Sequence, residues 1–256
     1  MARENKAEIY EQFNEETPGR TQQSCSVREK LALACKILGA NGHGENLAGQ
    51  ITVRADEKPG CFLTPRMGPA FNQVRDEDIC LIDDELNVID SARAVNPAIN
   101  FHIWLYRARP EIRCLVHTHP PYAAALSMTG QPLEVAHMDS AMFYEDCAYL
   151  AEWPGVPFSD EEGRIISAAI GAKRSILLAH HGILTTGASI EEAVYLAVLL
   201  ERAARMQLLA QSVGTIRKIA PEHAREAHDF LLKPGVVKAS FEAWARDFID
   251  EQVSLG

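Results

Sequence analysis

The chain has no hydrophobic run approaching the roughly 18–20 residues needed to cross a bilayer. Its first twenty residues are charged and lack the apolar core of a secretion signal. Neither a membrane span nor a leader is expected, and the sequence reads as cytoplasmic. Basic excess is missing as well. Against 35 Asp and Glu there are 25 Lys and Arg, a net charge of −10, which disfavours sequence-independent binding of nucleic acid. No Cys-x-x-Cys pair occurs among Cys25, Cys35, Cys61, Cys80, Cys114 and Cys147. Spaced so widely, they read as small buried hydrophobes rather than as disulfides or a zinc ribbon. Internal repeats and long linkers are absent too. A polar arm over residues 1–24 and a single domain over residues 25–256 are therefore expected.

What is present starts with punctuation. Ser26 with Glu29, Ser159 with Glu162 and Ser189 with Glu192 each have the S-x-x-E form of a capping box, so a helix should open at each. Leu31, Ala34, Cys35 and Leu38 give the first of these its apolar face, with Gly39 at its end. Residues 50–54 alternate as a strand and pair plausibly with 61–64, and 79–82 with 87–89 read as a further hairpin. Ile99, His102, Ile103 and Tyr106 fall on one helical stripe that Pro110 closes. A short helix over 121–128, a strand over 133–138 and a loop over 139–146 are expected next. Strands follow over 175–179 and 183–187, then a long helix to about Ser212. The last forty residues read as two helices divided near Pro234, anchored by Phe241, Trp244 and Phe248.

The stretch that carries chemistry is 112–120, IRCLVHTHP, an apolar run that prolines bring to a stop. Side chains two apart on a strand share a face, so His117 and His119 project side by side where the backbone leaves the sheet. Such a pair supplies half of a zinc-type site, or else two histidines satisfied by backbone carbonyls. A second buried run, 175–179, also ends in histidines, His180 and His181, followed by Gly182. His102 sits on its helical stripe either as a core histidine or as a catalytic one. His43, in the Gly- and Asn-rich loop 41–49, reads as a solvated loop residue, and that loop is suited to approaching an anion.

Two strands ending in H-x-H and H-H-G, about sixty residues apart and followed by a hairpin and a long helix, resemble the class II aldolase/adducin family. The matching pieces are 46–54 (NLAGQITVR), 62–65 (FLTP), His102, 109–111 (RPE), 115–120 (LVHTHP), 143–149, 176–183 (ILLAHHGI) and 201–202 (ER). They cover roughly residues 25–212 in the family's order. The resemblance implies a three-layer α/β/α domain around a central, largely antiparallel sheet, usually assembled as a homotetramer. It also implies that His117, His119 and His181 hold a divalent metal, most often zinc and sometimes manganese. His180 stands where the family more usually has Asn, and is read either as supporting the metal ligands or as facing the substrate. Asn46 and Gly49 belong to the anion-binding loop.

One departure redirects the expected reaction. Sugar-phosphate aldolases of this family carry a Ser-Ser-Glu segment before the helix, whose glutamate moves the substrate proton. Here 95–98 reads VNPA, which puts Ala98 at the glutamate's position, and no carboxylate lies between Ser91 and Arg109. The N-P version resembles metal-dependent decarboxylases of hydroxylated aromatic acids. Loss of CO2 needs an electron sink and no proton abstraction from carbon. An acid must then return a proton to carbon, and His180, Tyr144 and His102 are the candidates. Arg66 is either a bidentate clamp for a substrate carboxylate or a solvated loop arginine. The expectation is a metal-dependent carbon–carbon lyase on a small hydroxy or carbonyl carboxylate, with decarboxylation favoured. The alternatives are an aldolase or epimerase on a sugar-like substrate, and a non-catalytic adducin-like assembly module.

Overall fold

The computed structural model describes residues 10, 11, 13, 14, 25–44, 47–156 and 159–254. Ser26 opens helix α1 (Val27–Leu38). Its hydroxyl accepts from the Glu29 N–H at 3.2 Å, while the Glu29 carboxylate accepts from the Ser26 N–H at 2.7 Å. A tight turn over Gly39–His43 then leads to strand β1 (Gln50–Arg54), followed by β2 (Phe62–Pro65) and β3 (Ile79–Ile82). Helix α2 (Asn100–Ala108) precedes β4 (Cys114–Thr118), which runs into the short α3 (Pro121–Ser127). Beyond it come β5 (Cys147–Leu150), α4 (Asp160–Ile170), β6 (Ser175–Leu178), β7 (Gly182–Gly187) and the long α5 (Ile190–Gln211). Helices α6 (Pro221–Leu231) and α7 (Pro234–Ser254) end the described chain.

The strands form one seven-stranded sheet in the order β3-β2-β1-β4-β7-β6-β5. All neighbours are antiparallel except β5 and β6. Alternation along β4 decides the layers. Cys114 and Val116 face a core made with α1, α3, α5 and α7, whereas Leu115 faces a second core made with α2 and α4. Both faces of the sheet are thus buried, giving the three-layer α/β/α architecture. Every residue of β4 is buried, which explains why its sequence is almost wholly apolar up to His117.

Local expectations failed where side chains took over backbone hydrogen bonding. Residues 87–89 make one bridge, Val88 to Ile82, rather than a hairpin strand. The Asp83 carboxylate accepts the N–H groups of Glu85 and Asn87, and Leu86 adopts φ 66°, so the chain curls into a compact turn. Residues 133–137 are not a strand, because the Gln207 side chain on α5 accepts from the Glu134 N–H at 2.7 Å and donates to the Pro132 carbonyl at 3.1 Å. The segment expected to be a loop coils into a 3₁₀ helix over Met138–Phe143. Strand β5 was not foreseen; it is short, mostly half-buried and without alternation. The arm over residues 1–24 lies largely outside the described residues. Where it is described, Tyr10 stacks on Phe230 of α6 at 4.9 Å and Phe13 meets the same ring edge-on at 5.6 Å.

The six cysteines are free, and no helix among the described residues is long and apolar enough to cross a membrane. Leu115, fully buried at the centre of the sheet, tests the packing. Leu115→Ala should cost about 2–5 kcal/mol by lost transfer and cavity formation, read as a lower urea midpoint at unchanged m-value.

Candidate metal centre

The antiparallel pairing of β4 with β7 builds the site. Thr118 lies opposite Ile183 and His117 opposite Leu184, so the residues after β4 meet those before β7. His119 and His181 therefore converge on His117 although about sixty residues separate them in the chain. The turn between β6 and β7 is tight, and His180 makes it by adopting φ 58°, a left-handed conformation in which Asn is also favoured. Gly182 is required by space. A Cβ there would lie 2.4 Å from the Thr118 carbonyl and 2.7 Å from Cδ2 of His119. The H-H-G sequence is thus a consequence of how closely the two strand ends approach.

One ligand-type nitrogen from each of His117, His119 and His181 can be chosen so that all lie within 4.8 Å of one another. The ring centroids are 4.5–4.8 Å apart. Nδ1 of His117 donates to the Ile183 carbonyl at 2.8 Å, which leaves Nε2 with its lone pair exposed to the cluster. Nε2 of His119 sits 2.9 Å from that atom. Burial pushes His117 well below the ordinary histidine range, with the neighbouring imidazoles adding to the effect. Burial lowers His119 as well, and burial followed by His119 brings His181 to about 4. All three are neutral at pH 7, the protonation state a metal ligand needs. The donor set, its spacing and its fixed tautomer fit a divalent cation.

The other residues singled out from sequence divide into two groups. Gly49 and Arg66 line one cavity with Gln50, Thr64, Asn96 and Ile99. This cavity adjoins the histidines, because Gln50 pairs with His117 across β1 and β4. Arg66 is not a freely solvated residue. Its Nε donates to Asp78 at 2.6 Å and its Nη1 to the Met67 carbonyl at 3.4 Å, which leaves Nη2 for another anion. Gln50 was missed, and its buried Oε1 has no partner among the described residues. Asn46 lies outside the described residues. Ala98 is buried in a 3₁₀ turn over Pro97–Ile99, its N–H bound by the Asn96 side chain at 3.0 Å, and no carboxylate replaces the missing one in that segment.

His180, His102 and Tyr144 sit in three different surroundings. His180 is exposed beside His181. His102 is fully buried, with Nδ1 2.9 Å from the Thr52 hydroxyl and Nε2 unpartnered among the described residues. Tyr144, after the 3₁₀ helix, has the Arg225 guanidinium of α6 over its ring at 4.9 Å. His43 corrects the expectation of a solvated loop residue: it is buried, with Nδ1 2.7 Å from the hydroxyl of Thr118, between the two histidines of the H-x-H pair. His43 follows the last residue of α1 by five positions, and only the tertiary packing brings it to the end of β4.

Two outcomes follow from these contacts. Gly182→Ala forces the Thr118 carbonyl and the His119 ring apart, so affinity for a divalent metal should fall by about tenfold or more, measured by chelator competition. Burial holds His43 and His102 at about 3, below the unfolded value of about 6.5. The unfolded chain therefore binds more protons across that interval, and stability is full above pH 6.5 and falls as pH drops towards 3. His102→Gln should make the metal-free protein's melting temperature less dependent on pH in that window.

Comparison with known proteins agrees with this geometry. Residues 29–208 match the family model of the class II aldolase and adducin N-terminal domain. The meiotically up-regulated gene 14 protein of Schizosaccharomyces pombe is 30% identical over 200 residues, covering 76% of this chain and 78% of that protein. Decarboxylase NovR of Streptomyces niveus is 30% identical over 183 residues, covering 71% and 68%. The solved structure of an L-fuculose 1-phosphate aldolase from Glaciozyma antarctica superposes with a TM-score of 0.80 at 28% identity, covering 92% of this chain and 95% of that one. With the family model spanning most of its length and its strand ends converging on three histidines, the chain belongs to the class II aldolase/adducin family.

Proposed function

We propose that the protein is a metal-dependent carbon–carbon lyase that decarboxylates a small hydroxy or carbonyl carboxylate. One observation carries the reading: three neutral imidazoles converge on a single point, while the segment that supplies the aldolases' proton-moving glutamate presents Ala98. A scaffold has no use for such an open donor set, and an aldol cleavage has no base at that position. The similarity to Decarboxylase NovR supports the same choice.

His117, His119 and His181 would hold the cation, zinc or manganese, which when bound supplies Lewis-acid polarisation of a substrate hydroxyl or carbonyl and its neighbouring carboxylate. The chain's own residues do the rest. Arg66 would offer Nη2 to a substrate carboxylate, because Asp78 fixes its Nε and the Met67 carbonyl its Nη1, and so the direction of the fork. Gly49 keeps the wall beside the histidines open: a Cβ there would press on the Phe71 ring at 3.0 Å and on Thr118 Cγ2 at 3.3 Å. The carbon–carboxylate bond breaks with its electron pair left on the substrate, CO2 departs, and that carbon takes a proton. His180 would deliver it, a role supported by its exposure next to His181 in the chain, whereas His102 is sealed in the core and Tyr144 is engaged by Arg225.

We further propose that the enzyme works in the cytoplasm as a homotetramer. Exposed Met206 and Leu209 on α5 and exposed Tyr122 on α3 support burial against a second copy. Cleavage of a sugar-like hydroxy-carbonyl substrate is the second reading, favoured by the likeness to the L-fuculose 1-phosphate aldolase structure.

Incubation with hydroxylated aromatic acids and with short aldols, following CO2 and aldehyde, separates the two. CO2 release that depends on added metal is expected, and aldehyde release alone would overturn decarboxylation. His119→Ala should lower metal content and abolish turnover. His180→Asn should retain the metal and slow turnover by about 10²-fold or more, as loss of a general acid does; an unchanged rate would remove His180 from the mechanism.

A further inference from the structure

Glu201 lies within the long helix α5, yet it is only 7% exposed. Both of its carboxylate oxygens reach the start of α3. Oε1 accepts from the Tyr122 N–H at 2.9 Å and Oε2 from the Ala123 N–H at 2.7 Å. These are first-turn amides of α3, which have no partner within their own helix, and an anion is favoured at that helix end. Tyr122 follows His119 by three residues, and the two between are Pro120 and Pro121. Proline fixes φ, so the orientation of the first turn of α3 is carried back stiffly to the His119 backbone.

The surroundings make this fastening matter. Three imidazoles bring no negative charge to a cation, and Ala98 removes the carboxylate expected nearby. Glu201 brings a buried anion to the segment that follows His119. The same strand end is also held by the contact of His43 with Thr118.

We propose that Glu201 is the positioning residue of the metal centre, fixing through α3 the point at which the chain leaves β4 at His119. The inference rests on the reading of His117, His119 and His181 as a metal site, and zinc binding tests both separately. Zinc affinity is measured by competition with a chromogenic chelator for the full chain and for Glu201→Ala and Glu201→Gln, alongside the melting temperature of each metal-free form. Ser159→Ala, which removes the cap of α4 and bonds only within that helix's first turn, is the control for simple destabilisation. Glu201→Ala is expected to weaken zinc 10- to 100-fold, the usual effect of losing a group that orients a ligand. Glu201→Gln, nearly isosteric and able to keep one of the two bonds, should fall between it and the parent. Ser159→Ala should lower the melting temperature and leave zinc affinity unchanged. Affinities of the two Glu201 variants within twofold of the parent would overturn the proposal, and if Glu201→Ala does not fold, Glu201→Gln decides alone. A parent chain that binds no zinc would overturn the metal reading and this inference with it.

Discussion

The antiparallel ladder between β4 and β7 is the constraint on which everything else depends. It joins two segments distant in sequence, and its register determines which side chains meet at the open end. The hydrogen bond from His117 Nδ1 to the Ile183 carbonyl crosses this same ladder, so strand pairing also sets the tautomer of a ligand. A slip of one residue would send His117 to the opposite face of the sheet. Burial of β4 on both faces, against α1 and α5 on one side and α2 on the other, makes that slip costly.

Around this ladder the molecule separates two tasks. The histidine end is neutral and half-enclosed, kept uncharged by burial. Next to it, the cavity under β1 and β2 carries the polar and cationic groups, Gln50, Asn96 and Arg66. Asp78 stays ionised there: burial alone would raise its carboxyl, but the Arg75 N–H and the guanidinium groups of Arg66 and Arg93 more than reverse this and lower it. A site divided in this way suits a substrate with one end that donates oxygen atoms and another that is anionic.

The elements read most easily were those whose local rules agree with their tertiary setting. The capping serines mark helix starts because side chain and backbone settle the geometry among four neighbouring residues. Where side chains satisfied the backbone, local reading failed: Gln207 replaced strand pairing at Glu134 from far along the chain, and Asp83 replaced a hairpin at Asn87 from within the turn itself. His43 looked solvated because its loop is polar, while its burial depends on Thr118, some seventy-five residues away. Glu201 is one acidic residue among several on α5, and only the placement of α3 against that helix distinguishes it.

By itself the sequence determined the helix starts, the apolar strands, the H-x-H and H-H-G endings and the absence of a carboxylate before α2. All of these are properties of residues close together in the chain. Tertiary structure alone decided that the two endings converge, that His102 and His43 are sealed in the core while His180 is exposed, and that Gln50 and Arg66 share one cavity. The reason is physical: spacing along a strand fixes which way side chains face, but only cross-strand register and helix packing fix what they meet.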